Sequence, residues 1–277
     1  MFGKKALRLL LLLMLSLALS PVHSFAAAWA DVVYDAEVPV KTRENVASAI
    51  DTTADLLGKY KIVLPKDIKV VVTADLESYI QAYMFYSNVT RLQAEEYCKN
   101  TGGVSLRAKP VVIVRGTPLF MNSREEVYRT VPHEIFHQVQ FQYGRVGTAV
   151  AWLTEGTPEM FRFIAQEAAG YGKVEDYLHR TENIIRKAPG LPDAREFIDY
   201  KRFQALRNQQ GYPVYEMSVL MTARLIQDNG FENVIFFYQL LHNGSAPDKA
   251  FITAFRVPMS WFLTDMNAYF ETLRNGK

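Results

Sequence analysis

The stretch Val131–Gln138 reads VPHEIFHQ and contains the pattern His-Glu-x-x-His. An α-helix turns by about 100° per residue, so His133 and His137 would lie on one face, one turn apart. Two neutral imidazoles placed in this way can bind one Zn²⁺ ion, and Glu134 between them can reach a water at the metal. The stretch therefore predicts a helix that carries two metal ligands and a base.

The same helix is expected to be amphipathic. Val127, Val131, Ile135 and Val139 recur every four residues, on roughly the opposite side from the histidines. Such a stripe buries one side of a helix, so the histidines should face a cleft. Pro132 falls inside the span, and the helix either kinks there or restarts just before the histidines.

A catalytic zinc site needs a third protein ligand and keeps its fourth position for water. Downstream, Ala151–Met160 reads AWLTEGTPEM and places Glu155 and Glu159 four residues apart. We expect a second helix here, with Thr154 as its N-cap. Glu155 can then be the third ligand, and Glu159 can accept a hydrogen bond from the other ring nitrogen of a zinc histidine. The alternative is two acidic residues that merely suit the dipole of a first helical turn.

Together, His-Glu-x-x-His and the later Trp-Leu-x-Glu-Gly resemble the gluzincin metallopeptidases, the broad group that contains thermolysin and the aminopeptidase N family. The chain is most similar to the compact peptidase MA-like domains of exported bacterial proteins. The resemblance implies a zincin-like fold in which His133, His137 and Glu155 bind zinc. Glu134 is then the general base, and Glu159 orients a histidine. The interval between the second and third ligands is one residue shorter than in the best-known members.

The resemblance also implies a hydroxyl donor for the reacting carbonyl oxygen. In aminopeptidase-like gluzincins, a tyrosine at the start of a later helix stabilises the negative charge that develops on that oxygen. Here Tyr215 stands fifteen residues before the helix-ending Gly230, as that tyrosine does, and Tyr212 is the close rival. The alternative is that both are packing aromatics, since the chain contains 15 tyrosines.

The first 28 residues have the features of a bacterial signal peptide. A basic start is followed by an apolar run from Leu9 to Leu19, and Ser24 and Ala26 offer small residues at a cleavage site. The run is too short to span a bilayer comfortably, so we expect no stable membrane span after cleavage. The alternative is an uncleaved anchor. The segment predicts an exported protein, either secreted or in the cell envelope.

Without this leader the chain is nearly neutral. Lys4, Lys5 and Arg8 belong to the leader, so 28 of the 31 basic residues remain against 29 acidic ones. That balance gives no reason to expect nucleic acid or an anionic membrane as a partner. Cys98 is the only cysteine, which excludes an internal disulfide, and we expect it to be a buried small residue. Stability must then come from packing and from bound zinc.

Hydrophobic periodicity predicts an α+β chain. Strands are expected at 32–34, 68–72, 104–107 and 111–115, with helices at 42–60, 76–85, 90–98, 124–143, 174–187, 215–227, 234–241 and 260–273. Residues 189–210 are expected to be mostly loop, and His179 to be a surface or packed residue. As in gluzincins, a small mixed sheet should pack on the metal-site helix. A sheet-containing lobe (29–121) and a helical lobe with the zinc site (122–277) would form one catalytic domain.

These expectations combine into an exported zinc metallopeptidase whose substrate is a peptide or protein. An extended substrate could pair with the sheet edge at Val104–Arg107. Two alternatives remain open: a catalytically inactive, peptidase-like binding module, and a zinc hydrolase of a non-peptide substrate. The presence of Glu134 argues against the binding module, because a purely structural zinc site has no use for a base.

Overall fold

The computed structural model describes residues 29–144, 149–209 and 211–276. The predicted signal peptide, residues 1–28, lies outside these ranges. Within them, no helix is long and apolar enough to cross a membrane. The described residues form a small sheet with helices on both faces, followed by a larger group of helices, which confirms the α+β class and the mostly helical C-terminal half.

The sheet is built from the first part of the chain. Its strands are β1 (Ala30–Tyr34), β2 (Ile68–Thr73), β3 (Gly103–Leu106) and β4 (Val111–Arg115). Their spatial order is β1-β2-β4-β3; β1, β2 and β4 run parallel, and β3 is antiparallel to β4. The sheet is therefore mixed, as expected. β3 is an edge strand, shifted by one residue from the predicted 104–107.

Helices cover both faces of this sheet. They are α1 (Val40–Lys59), α2 (Leu76–Ser87), α3 (Arg91–Cys98), the short α4 (Pro118–Asn122) and α5 (Arg124–Phe141). α1 and α5 pack on one face, while α2 and α3 pack on the other, where Cys98 is buried as expected. β2 reads IKVVVT and is almost wholly apolar, because a strand covered on both sides has no solvent-facing row.

α5 is the helix that the sequence predicts to carry two metal ligands. Ser123 caps it by accepting a hydrogen bond from the Glu126 N–H at 3.2 Å. The helix continues through Pro132, so the alternative in which it restarts there is wrong. Its apolar stripe is fully buried, and burial of each such side chain contributes about 1.5–3 kcal/mol to the stability of the folded state. The stripe consists of Val127, Val131 and Ile135 against the sheet and Val139 against the later helices.

The C-terminal half is helical. It contains α6 (Ala151–Ala168), α7 (Val174–Lys187), α8 (Tyr200–Arg207), α9 (Val214–Asn229), α10 (Phe231–His242), α11 (Pro247–Phe255) and α12 (Met259–Asn275). Its core is rich in aromatic residues: the buried Trp152 stacks on Phe262 with ring centroids 5.7 Å apart. α6 packs along both α5 and α9, so it connects the metal-site helix to this core.

Two expectations about local structure are wrong, and one helix was not predicted. Thr154 is not the N-cap of α6, which begins at Ala151; the Ala151 N–H donates to the Ile198 carbonyl at 3.0 Å, and the Thr154 hydroxyl donates back to Val150. Residues 189–210, expected to be mostly loop, contain the helix α8, whose N-cap is Asp199. α11 was not expected at all. That the whole of 29–277 forms one domain, with lobes meeting near residue 121, stays a prediction.

Candidate metal centre

The three side chains predicted as zinc ligands lie together between α5 and α6. His133 Nε2 and His137 Nε2 are 3.2 Å apart, and Glu155 Oε2 lies 3.9 Å from His137 Nε2. One ligand atom from each residue falls within 4.8 Å of the others. All three side chains are mostly buried, which limits competition from bulk water.

The partners of the two imidazoles decide where their protons sit. His133 Nδ1 lies 3.0 Å from Glu159 Oε1, somewhat off the ideal hydrogen-bond direction, and His137 Nδ1 lies 2.9 Å from Gln140 Oε1. Both partner atoms are acceptors, so each Nδ1 carries the hydrogen. In the neutral rings, the two Nε2 lone pairs then face each other across a short gap.

This donor set fits a zinc ion. Zn–N distances of about 2.0–2.1 Å in a tetrahedral site place ligand atoms about 3.3 Å apart. The Nε2–Nε2 separation is 3.2 Å, so the two rings are already at the spacing that zinc requires. With both imidazoles neutral, the two Nε2 atoms and the Glu155 carboxylate are ligand atoms that one zinc ion could bind together. His133, His137 and Glu155 would hold it.

Gln140 fixes the orientation of His137, a role that sequence reasoning did not find. Gln140 is fully buried, and its amide nitrogen donates to the Thr154 carbonyl and to the Tyr238 hydroxyl, each at 2.9 Å. Its Oε1 is therefore left to accept from His137. The sequence shows that Gln140 lies three residues after His137. It does not show the contact between Gln140 and Tyr238, which is 98 residues further along the chain.

Glu159 lies beside His133 as expected, and a cation holds it there. The Arg162 Nε donates to Glu159 Oε2 at 2.6 Å, and the Arg162 Nη2 makes a second contact with the same oxygen. Burial would raise the pKa of Glu159, but Arg162 and His133 outweigh it and hold that pKa well below its usual range. Burial would lower the pKa of His133, and Glu159 reverses that effect. Arg162 was not identified from the sequence.

Glu134 lies against the edge strand β3 on the wall of the same cleft. The Ser105 hydroxyl is 3.1 Å from Glu134 Oε2 and also contacts the Glu134 carbonyl oxygen. A Cβ at Gly103 would come within 2.8 Å of Glu134 Cγ, so only glycine leaves the carboxylate this position. Ser105 and Gly103 therefore position the candidate base, and neither was identified from the sequence.

Gly156 explains the Glu-Gly pair of the second motif. A Cβ at Gly156 would lie 2.3 Å from the Thr222 hydroxyl and 2.5 Å from the Ser218 carbonyl oxygen. α6 and α9 therefore approach each other closely at the residue after Glu155, where only glycine fits. This contact brings the start of α9, and Tyr215 with it, next to the third candidate ligand.

The structure distinguishes the two tyrosine candidates by position. The Tyr215 hydroxyl donates to Glu155 Oε2 at 3.2 Å and lies in the cleft. Burial, and after it Glu155, raises the pKa of Tyr215 well above its usual value, so the hydroxyl keeps its hydrogen. Tyr212 lies away from the cleft and packs against the helical core beside Gly190. Tyr215 is thus the candidate that geometry favours.

His133, Glu134, His137, Glu155 and Tyr215 line a cleft of about 520 Å³. β3 forms one wall, α5 and α6 form the floor, and α8 and the start of α9 form the other wall. α8 contributes Tyr200 and Arg207. Neither was predicted to line the site, because this segment was predicted to be mostly loop. His179 lies outside the cleft, where its exposed side chain pairs with Glu182 at 3.3 Å, so it is the surface residue expected.

Comparisons with known proteins add little beyond this geometry. No protein-family model matches the sequence, and no curated protein matches it. Among solved structures, the chain is similar to the crystal structure of an M1 zinc metallopeptidase from Deinococcus radiodurans, with 15% sequence identity and a TM-score of 0.46. That likeness covers 88% of this chain and 47% of the other, so this chain spans about half of its length. The function therefore has to follow from the site itself.

Proposed function

We propose that this chain is a zinc-dependent metallopeptidase of the gluzincin type, with His133, His137 and Glu155 as ligands and Glu134 as general base. The observation that carries the proposal is the arrangement of the two Nε2 atoms, 3.2 Å apart beside Glu155. Each outer ring nitrogen faces a fixed acceptor, as zinc histidines require. From the signal peptide predicted in residues 1–28, we further propose that this activity lies outside the cytoplasm, in the envelope or the medium.

Zinc held at this site would supply a Lewis acid that polarises the scissile carbonyl and makes water acidic enough to attack it. Glu134 takes the proton of the attacking water on its carboxylate and passes it to the leaving amine. Ser105 and Gly103 hold that carboxylate against β3. The free edge of β3 lines the cleft, so the backbone of an extended peptide can pair with it.

The function is tested by incubating the zinc-loaded protein with a mixed peptide library and identifying the cleaved bonds. We expect cleavage that stops when a chelator removes the metal and returns when zinc is added back. Zinc binding without cleavage of any peptide would point instead to a non-peptide substrate. A protein that binds peptides but cleaves none, even with zinc present, would be a binding module.

Replacing Glu159 with alanine is expected to weaken zinc affinity or activity by about 10- to 100-fold, because His133 loses the acceptor that fixes its tautomer and ring. Zinc affinity is measured by competition with a chelator of known strength. Glu159→Gln is the matched control: it keeps an oxygen toward His133 Nδ1 and should lose less. Complete loss of zinc in Glu159→Ala, with retention in Glu155→Ala, would make Glu159 the third ligand.

Tyr215→Phe removes only a hydroxyl. If that hydroxyl stabilises the charge on the reacting carbonyl oxygen, kcat should fall by about 10²- to 10³-fold with little change in KM. Zinc content and thermal stability should stay near those of the unmodified protein. Tyr212→Phe is the control and should be nearly silent, since Tyr212 packs against the helical core. A large loss of turnover in Tyr212→Phe alone would move the role to that residue.

A further inference from the structure

A second pocket opens beside the metal centre. It has a volume of about 420 Å³ and lies between the start of α5, α6, α7 and α9. Glu159, Arg162 and Tyr215 line both this pocket and the cleft, so the two spaces meet next to the metal-site residues. Since Glu159 contacts His133, a side chain entering the pocket would belong to a residue close to the scissile bond.

Two side-chain acceptors, on Gln166 and Glu216, line the pocket. Gln166 is 2% exposed, and within the described ranges its Oε1 has no hydrogen-bond partner. Glu216, in the first turn of α9, also lines the pocket, and no ion pair joins it to another described residue. Burial raises the pKa of Glu216, although a hydrogen bond from its own backbone N–H opposes this rise; nearby Glu159 adds to the rise, and Arg162 opposes it. A buried acceptor such as Gln166 Oε1 is costly unless a donor reaches it.

Two of the three arginines that line the pocket are paired with carboxylates. Arg162 binds Glu159, and Arg129 pairs with Glu126 at 3.6 Å. The guanidinium of Arg180, on the exposed side of α7, lies over the Tyr177 ring at 4.4 Å from its centroid. The pocket is thus lined by four carboxylates, those of Glu125, Glu126, Glu159 and Glu216, against three guanidiniums, while Phe163, Tyr177 and Val219 form an apolar part of its wall.

We infer that this pocket receives the cationic side chain of a lysine or arginine in the peptide substrate, with Glu216 as counter-ion and Gln166 Oε1 as a second acceptor. Apolar walls suit the methylene stem of such a side chain, and the two acceptors suit its charged end. The inference rests on the proposed peptidase function and names its substrate class. A neutral side chain of equal length offers neither acceptor a donor, so it should be disfavoured.

The test compares peptides that differ only by lysine or norleucine at each position around the cleaved bond. For the zinc-loaded protein we expect lysine to be preferred at one position by about 10- to 100-fold in kcat/KM. Glu216→Gln should remove that preference while zinc content stays unchanged. Glu232→Gln is the matched control, because Glu232 occupies the first turn of α10 and is exposed. A preference unaltered by Glu216→Gln would overturn the inference and leave the peptidase function standing.

A binding measurement separates the two proposals further. Measured by calorimetry, the zinc-loaded Glu134→Gln protein should bind the lysine peptide at least about 10-fold more tightly than the norleucine peptide. The double variant with both Glu134→Gln and Glu216→Gln should bind the two peptides with equal affinity. If the unmodified protein cleaves no peptide, the peptidase function fails. The pocket is then probed with Nα-acetyl-lysine methylamide against its norleucine counterpart. If the protein with Glu216 intact binds the lysine and norleucine members of either pair with equal affinity, the role of Glu216 is contradicted.

Discussion

Glu134→Gln is expected to retain one zinc per chain and to lose peptide hydrolysis by about 10³- to 10⁴-fold. The substitution keeps the shape of the side chain and an oxygen that can accept from Ser105, so the fold and the three ligands should remain in place. What it removes is the group that takes the proton from water. The loss should appear in kcat, measured at saturating peptide, with zinc counted on the same sample.

Glu44→Gln provides the control for this prediction. Glu44 is an exposed residue of α1, so the same chemical change there should leave turnover within about twofold of the unmodified protein. Loss of zinc together with activity in Glu134→Gln would mean that Glu134 is a ligand or a structural residue. Unimpaired hydrolysis would remove it from the mechanism.

Glu155→Ala is expected to nearly abolish zinc retention, and hydrolysis with it. The substitution leaves two imidazoles as the protein ligands, whereas catalytic zinc sites use three. It also deprives the Tyr215 hydroxyl of its acceptor. Zinc per chain after dialysis is the measurement, with circular dichroism to show that the fold persists. If Glu155→Ala keeps zinc as tightly as Glu159→Ala does, the assignment of the third ligand is wrong.

The sequence predicted the elements that carry strong local signals. The valine-rich β2 and the every-fourth-residue stripe of α5 are both present, because burial of one face imposes its period on the sequence. The spacing of His133 and His137 likewise predicted two neighbouring imidazoles, since helix geometry alone brings them together. Placing Glu155 beside them required the second motif and the family resemblance as well.

What the sequence could not supply depends on contacts between distant residues. α6 begins at Ala151 because its N–H reaches the Ile198 carbonyl, a partner that local capping rules do not consider. α8 was hidden by the Pro189–Pro192 turn signals before it, although the Asp199 cap was there to be read. The role of Gln140 depends on Tyr238, and the choice of Tyr215 over Tyr212 depends on how α9 packs against α6.

The central claim is that three side chains hold one zinc ion and that peptide hydrolysis depends on it. Its most direct test is a zinc titration of the metal-free protein, with bound zinc and cleavage of a library-derived peptide followed together. We predict that both rise in proportion and level off at one zinc per chain, and that Glu155→Ala shows neither rise. Full hydrolysis by the metal-free protein, or an activity that does not follow zinc occupancy, would contradict the account.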